Sequence, residues 1–190
     1  MAASSLLELV FTAGVAATLV ATGAAQVAGS VDSIRASAAA RHVAARLQQT
    51  RLRAITRNRA TSLRITLDTR GYLLESFEDG NDNGVLAADI QAGIDTRIAP
   101  DERLADQYPG VEFGALPGLP GAEGSVAPGI DPIRVGTSNA VTFTPNGTAT
   151  PGSLYVRGRG VRQYVVRIYG ETGRTRVLTW VARTSAWLAP

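Results

Sequence analysis

Leu9-Val10-Phe11-Thr12-Ala13-Gly14-Val15-Ala16-Ala17-Thr18-Leu19-Val20-Ala21-Thr22-Gly23-Ala24-Ala25-Gln26-Val27-Ala28-Gly29-Ser30-Val31 carries no charge, and its reading decides the fold. As a helix it spans about 34 Å at ~1.5 Å per residue, enough for a bilayer core. Only Gln26 is strongly polar. The run is poor in Leu and rich in Ala, Gly and Thr, so it is a weak anchor by hydropathy but allows close helix–helix approach. Two readings stand open, a retained anchor and a cleaved secretory signal. No basic stretch precedes the run, and Glu8 stands at its start. A carboxylate there is costly unless it has a partner or lies at the headgroups.

Downstream, residues 32–60 contain neither Pro nor Gly. Ala36, Ala40, Val43, Leu47 and Ala54 recur on one helical face, with Arg35, Arg41, Arg46, Arg53 and Arg57 largely off it. This predicts an amphipathic helix with a solvated basic face, continuing the first run.

Ser4-Ser5-Leu6-Leu7-Glu8-Leu9-Val10, then the uncharged run and the Ala/Arg-rich helix, resembles the amino terminus of type IV pilin-like proteins. The resemblance implies a leader, residues 1–3, cut by a prepilin peptidase between Ala3 and Ser4, although the family usually has Gly before the cut and an aromatic residue after it. It also implies that Glu8 pairs with the free amino terminus of a neighbouring subunit and sets filament register. Residues 4–31 would cross the bacterial inner membrane once, residues 32–60 would continue the helix, and residues 61–190 would form a periplasmic β domain.

That domain is legible in pieces. Ser62–Leu67 alternates polar and apolar residues and pairs naturally with Tyr72–Phe77 across the turn Asp68-Thr69-Arg70-Gly71. Val141-Thr142-Phe143 closes on Pro145-Asn146-Gly147, and Ser153–Val156 reads as another strand. Val161–Tyr169 and Thr175–Val181 flank Gly170-Glu171-Thr172-Gly173, a hairpin signal. The expectation is α+β, a long membrane-spanning amino-terminal helix packed on an antiparallel sheet. Residues 78–132 are acidic, Gly/Pro-rich and mostly aperiodic, an insertion. With Phe143-Thr144-Pro145-Asn146-Gly147-Thr148 and the stretch Ala44–Asn58, the order of elements is similar to the GspH/FimT pseudopilin family. The resemblance implies a structural subunit of a type II secretion pseudopilus or type IV pilus-like filament. Its partners would be other pseudopilins or pilins and the assembly platform.

Charge is segregated. All basic residues are Arg. Residues 32–70 hold nine Arg against two Asp, residues 71–133 two Arg against twelve carboxylates, and residues 134–190 eight Arg against one Glu. Without Cys there is no disulfide or thiolate chemistry, and with one His, His42, no multi-histidine metal site. His42 has no carboxylate neighbour in sequence and reads as a packing or surface residue. No motif points to an enzyme.

Two motifs remain. Asp79-Gly80-Asn81-Asp82-Asn83-Gly84 resembles the first half of a calcium loop, but the twelfth position is Ile90, so a calcium site would be irregular, using Asp79, Asn81, Asn83 and Asp89. Gly173-Arg174-Thr175-Arg176, with Arg157, Arg159 and Arg162 nearby, places Arg at i and i+2 on one strand face, able to grip phosphates. Some FimT-like proteins carry a Gly-Arg-x-Arg motif implicated in DNA binding, so a DNA-binding minor pilin is the alternative the resemblance implies, on Gly173, Arg174 and Arg176. A secreted β-sheet binding module behind a signal peptide is the third.

Overall fold

The computed structural model describes residues 5–190; within its first helix the side chains of Leu7, residues 20–26 and Ala28 are not described. The expected cleavage point between Ala3 and Ser4 lies outside the described residues.

One helix, α1 (Leu6–Arg57), runs for 52 residues, about 78 Å at ~1.5 Å per residue. Ser5 caps its start: the Ser5 Oγ accepts the Glu8 N–H at 3.3 Å. Asn58 ends it in the left-handed conformation, φ 52°, donating its N–H to the Ala54 and Ile55 carbonyls. The uncharged and amphipathic runs are thus one rod, without a break at residues 31–32.

The two halves of the rod differ in burial. Leu9, Val10, Phe11, Leu19 and Val27 are exposed. Among the described residues no helix is long and apolar enough to cross a membrane. The middle of the uncharged run, Gln26 included, lies outside those whose side chains are described. From residue 36 the rod is packed: Ala36, Ala40, Val43, Leu47, Thr50 and Ala54 are buried at alternating spacings of four and three. That spacing keeps one face toward a flat partner. The alanines let the helix backbone approach closely, while Val43 and Leu47 supply apolar burial, about 1.5–3 kcal/mol each.

The partner is two antiparallel sheets rather than the single one expected. The first has the order β3-β2-β1-β6, with β1 Thr61–Asp68, β2 Gly71–Glu78, β3 Thr96–Arg97 and β6 Ala140–Phe143. Its tight hairpin is the expected one, Asp68 opposite Gly71, and the Asp68 Oδ1 accepts the Arg70 N–H at 2.8 Å. The second has the order β10-β9-β8-β7-β4, with β5 also on β7; here β4 is Glu112–Phe113, β5 Ile133–Val135, β7 Gly152–Arg157, β8 Gln163–Ile168, β9 Thr175–Val181 and β10 Ala186–Leu188. Leu63, Ile65, Leu74, Val141 and Phe143 of the first sheet join Leu154, Val156, Val166 and Ile168 of the second in one core with the helix seam. The second sheet also buries Tyr155, Val165 and Leu178 on its other face, beneath Ala122 and Trp187.

Residues 78–132 are not an aperiodic loop. They hold the short helices α2 (Ala87–Ala92) and α3 (Leu104–Gln107), β3 and β4. They therefore extend both sheets, and they bury Leu104, Val111, Phe113, Leu119 and Ala122. Strands of two residues are too short for periodicity to register.

Candidate assembly surfaces and the arginine cluster

The β domain is fastened to α1 at both ends. At one, the Asp32 carboxylate accepts the N–H groups of Arg159 (2.9 Å) and Gly160 (2.8 Å). A Cβ on Gly158 would lie 2.6 Å from Asp32 Oδ2, so the loop needs glycine there for the carboxylate to approach. At the other, Gln48 Nε2 donates to the Gly173 carbonyl (3.3 Å) and to Thr175 Oγ1 (3.0 Å), and Arg51 Nε donates to the Gly147 carbonyl (3.1 Å). Residues 32 and 48 are about 24 Å apart along the helix at ~1.5 Å per residue.

Between these ends the acidic segment meets the helix. His42 Nε2 lies 2.9 Å from Glu102 Oε2 and donates to that carboxylate in the tautomer that carries its proton on Nε2. Arg46 Nε lies 2.9 Å from the other Glu102 oxygen, an ion contact without the alignment of a hydrogen bond. Tyr108 packs against the His42 ring at 5.8 Å. Arg53 pairs with Glu78 at 2.6 Å. Only part of the predicted basic face is therefore solvated: Arg35, Arg41 and Arg57 are exposed, while Arg46 and Arg53 reach into the domain. Of the two roles expected for His42, packing or surface, it takes the first, against a carboxylate sixty residues away in sequence.

Glu8 lies in the first turn of α1, exposed, and among the described residues its carboxylate has no partner. Ser5-Leu6-Leu7-Glu8 is also the Ser-x-x-Glu pattern of a capping box, a local signal for the start of a helix. The Ser5 half of that box is formed. Negative charge in the first turn also suits the helix dipole.

The 79–84 turn is closed by its own hydrogen bonds. Asp79, 2% exposed, accepts the Asn81 (3.0 Å) and Asp82 (2.8 Å) N–H groups on Oδ1 and that of Gly84 (2.6 Å) on Oδ2. Asp89 accepts the side-chain amides of Asn81 (3.3 Å) and Asn83 (2.9 Å). Asp95, unmarked by any motif, completes the turn by accepting the Gly80 (3.0 Å) and Leu86 (2.8 Å) N–H groups. The four residues named for calcium do come together. Both oxygens of Asp79 nonetheless serve main-chain amides, and the two Asn turn their nitrogens inward. Among the described residues no group of three or more His, Asp or Glu is arranged to hold a metal ion.

The arginines named for phosphate binding do not form one cluster. Gly152 on β7 faces Ile168 on β8, which faces Thr175 on β9; at the far end Arg157 faces Gln163. Arg174 and Arg176 thus stand at one end of the sheet and Arg157 and Arg159 at the other, about 17 Å along the strands at ~3.4 Å per residue. Arg157 pairs with Glu112 at 2.9 Å and Arg176 with Glu123 at 3.1 Å. Arg174 is exposed. Gly173, φ +60°, is fixed by packing: a Cβ there would stand 2.2 Å from the Gly147 carbonyl and 2.8 Å from Arg51 Nε.

A two-pronged charge pair lies at the β1–β2 turn. Arg103, 7% exposed in its side chain, grips Asp68 with both terminal nitrogens and donates to the Gly71 carbonyl at 3.1 Å. The Arg103 hydrogen bond, helped by the Arg70 N–H, holds the Asp68 carboxyl below its ordinary value. Asp68 in turn raises Arg103.

No curated protein matches this chain. Two solved structures of the minor pseudopilin EpsH from the type 2 secretion system of Vibrio cholerae are similar to it. One is 19% identical, with 76% of this chain and 96% of that chain covered and a TM-score of 0.47. The other is 20% identical, with 83% and 96% covered and a TM-score of 0.45. The family model described as "Type II transport protein GspH" matches residues 39–173. That span takes in most of the packed half of α1, both sheets as far as the β8–β9 turn, and Gly173, while Glu8, Arg174 and Arg176 lie outside it. With most of its length matched, the chain belongs to the GspH family of type II transport proteins.

Proposed function

We infer that this chain, by family a structural pseudopilus subunit of type II secretion, is a minor pseudopilin that assembles through the free half of α1 and presents its β domain as a rigid head. The observation that carries this reading is the division of one continuous helix. Its carboxy-terminal half is consumed by the two sheets, while Leu9, Val10, Phe11, Leu19 and Val27 on its amino-terminal half are exposed. An apolar rod of this length needs lipid or other helices around it. The unbroken helix through residues 25–30 supports a retained segment over a cleaved signal. In this reading residues 4–31 lie in the inner membrane until assembly, and the head stands in the periplasm. Cleavage between Ala3 and Ser4 frees the amine that Glu8 of a neighbouring subunit meets.

The test separates the two roles of Glu8. Glu8→Gln retains the capping-box residue type but removes the charge, whereas Glu8→Ala removes both. Incorporation into filaments, scored by cross-linking in membranes, should fall similarly in both variants. Normal incorporation of Glu8→Gln would reduce Glu8 to a cap.

A further inference from the structure

The β8–β9 turn borders an open cleft of about 660 Å³, lined by Arg167, Tyr169, Glu171, Arg174 and Arg176. Arg167 and Arg176 stand directly opposite across the β8–β9 ladder, a placement that repels unless an anion intervenes. Glu123 supplies an anion on the Arg176 side of this pair. Its carboxylate takes the Arg176 guanidinium at 3.1 Å and accepts the Tyr169 hydroxyl. Glu123 comes from the segment that covers the outer face of the sheet, where Ala122 is fully buried and Trp187 Nε1 donates to the Pro120 carbonyl at 3.1 Å. Glu123 itself is left-handed, φ 49°, ψ 48°, a conformation a non-glycine residue adopts only against its own sterics. The chain therefore holds a carboxylate in this cleft at a local cost.

The cleft is not filled by it. Arg167 donates through Nη1 to the Gly152 carbonyl (3.0 Å) and Ser153 Oγ (3.3 Å), but its Nε is buried with no partner. Arg174, just ahead of β9, lines the same cleft as Arg176; it is exposed, and among the described residues its guanidinium has no partner.

We propose that this cleft binds the carboxylate of an acidic side chain carried on a glycine-rich loop of a neighbouring protein subunit, and that Glu123 is the chain's own occupant of half of it. Arg174 takes the incoming carboxylate, and Glu123 competes for Arg176. A carboxylate fits better than a polyphosphate backbone. Glu123 and Glu171 offset two of the three arginines, leaving one net positive charge, and Arg157 and Arg159 lie at the opposite end of the sheet. A nucleic-acid backbone draws its affinity from many phosphate contacts made together. One carboxylate needs only one fork of donors. The site goes beyond assembly through α1, and it stands whether or not α1 is anchored in a membrane.

The probe is the labelled octapeptide Leu-Pro-Gly-Ala-Glu-Gly-Ser-Val, the sequence of residues 119–126 supplied in trans, with Gln in place of Glu as control. Binding to the full chain in detergent is read by fluorescence anisotropy. Glu123→Gln should bind it about tenfold more tightly than the parent chain, because Arg176 is freed. Glu123→Gly removes the carboxylate and relieves the left-handed strain, so it keeps the test valid if the first variant disturbs the segment. Adding Arg174→Gln should cancel the gain, with Arg174→Lys restoring part of it and Arg162→Gln changing nothing. Equal binding of the Glu and Gln peptides, or no gain in either Glu123 variant, overturns the proposal. So does a single-stranded oligonucleotide that binds more tightly than the peptide and loses that binding in Arg174→Gln, which would make the ligand a phosphate backbone.

Discussion

Replacing Gly173 by Ala asks what the glycine of Gly173-Arg174-Thr175-Arg176 is for. The phosphate-gripping reading makes it part of a ligand motif; the packing makes it a joint between two turns and the helix. The joint predicts a loss that needs no ligand. Gly173 has φ +60°, which costs an alanine about 1–2 kcal/mol. The new Cβ would stand 2.2 Å from the Gly147 carbonyl oxygen, a backbone atom, and 2.8 Å from Arg51 Nε. Relieving that overlap means moving the Thr144–Thr148 turn or breaking the Arg51 bond to Gly147, a further ~1–3 kcal/mol. The total of about 2–5 kcal/mol lowers Tm by roughly 4–20 °C for a chain of this size. The reporter is near-UV circular dichroism, because Trp180 and Trp187 lie against each other at 5.4 Å on the second sheet. Arg174→Ala is the control: its exposed side chain should leave stability within about 0.5 kcal/mol. If Gly173→Ala melts within about 2 °C of the parent, the joint is soft and the packing account of the glycine is wrong.

Asp68→Asn should destabilise at neutral pH and lose that effect in acid. The folded-state pKa of Asp68 is depressed, chiefly by Arg103, so its stabilisation is present above the unfolded value and vanishes as pH falls through the folded one, below about pH 4. Paired urea melts across pH check the sign, and a gap between parent and variant that persists in acid refutes it. Calcium should leave Tm unchanged, because Asp79 is already satisfied by three backbone amides. A rise of several degrees that Asp89→Asn abolishes would restore the calcium reading.

What the sequence showed and what it hid divide along the range of the interactions. The Ala36–Ala54 stripe, the turn at Asp68–Gly71 and the paired glycines at 170–173 are local patterns, and each fixes a local outcome. The split into two sheets depends on which strands pair across distance, as when Thr61 meets both Glu78 and Phe143. Glu123 was invisible for another reason: a left-handed glutamate has no residue-type signal, unlike the glycine after it. Asp95 lies outside the Asp79–Asp89 spacing, and its role, accepting the Gly80 and Leu86 N–H groups, exists only once the turn is folded. The capping pattern at Ser5 and Glu8 is legible in the sequence, on the same glutamate that carries the pilin resemblance.

The charge blocks connect these cases. A basic helix, an acidic middle and a basic carboxy-terminal half could mean a basic surface waiting for a polyanion. Instead the acidic middle supplies partners to both sides: Glu78 and Glu102 to the helix, Glu112 and Glu123 to the second sheet. Such partly exposed pairs contribute about 0–1 kcal/mol each, too little to explain the fold, which rests on the buried seam. Their effect is positional. They orient the 78–132 segment between helix and sheet, and they determine which arginines remain free for other molecules. Arg35, Arg41 and Arg57 on the helix, Arg174 at the β8–β9 turn, and Arg70, Arg159, Arg162 and Arg183 elsewhere are exposed outside these ion pairs, so an acidic neighbour in an assembly would meet this chain at arginines of that set before Arg157 or Arg176, whose charges already have partners within the subunit.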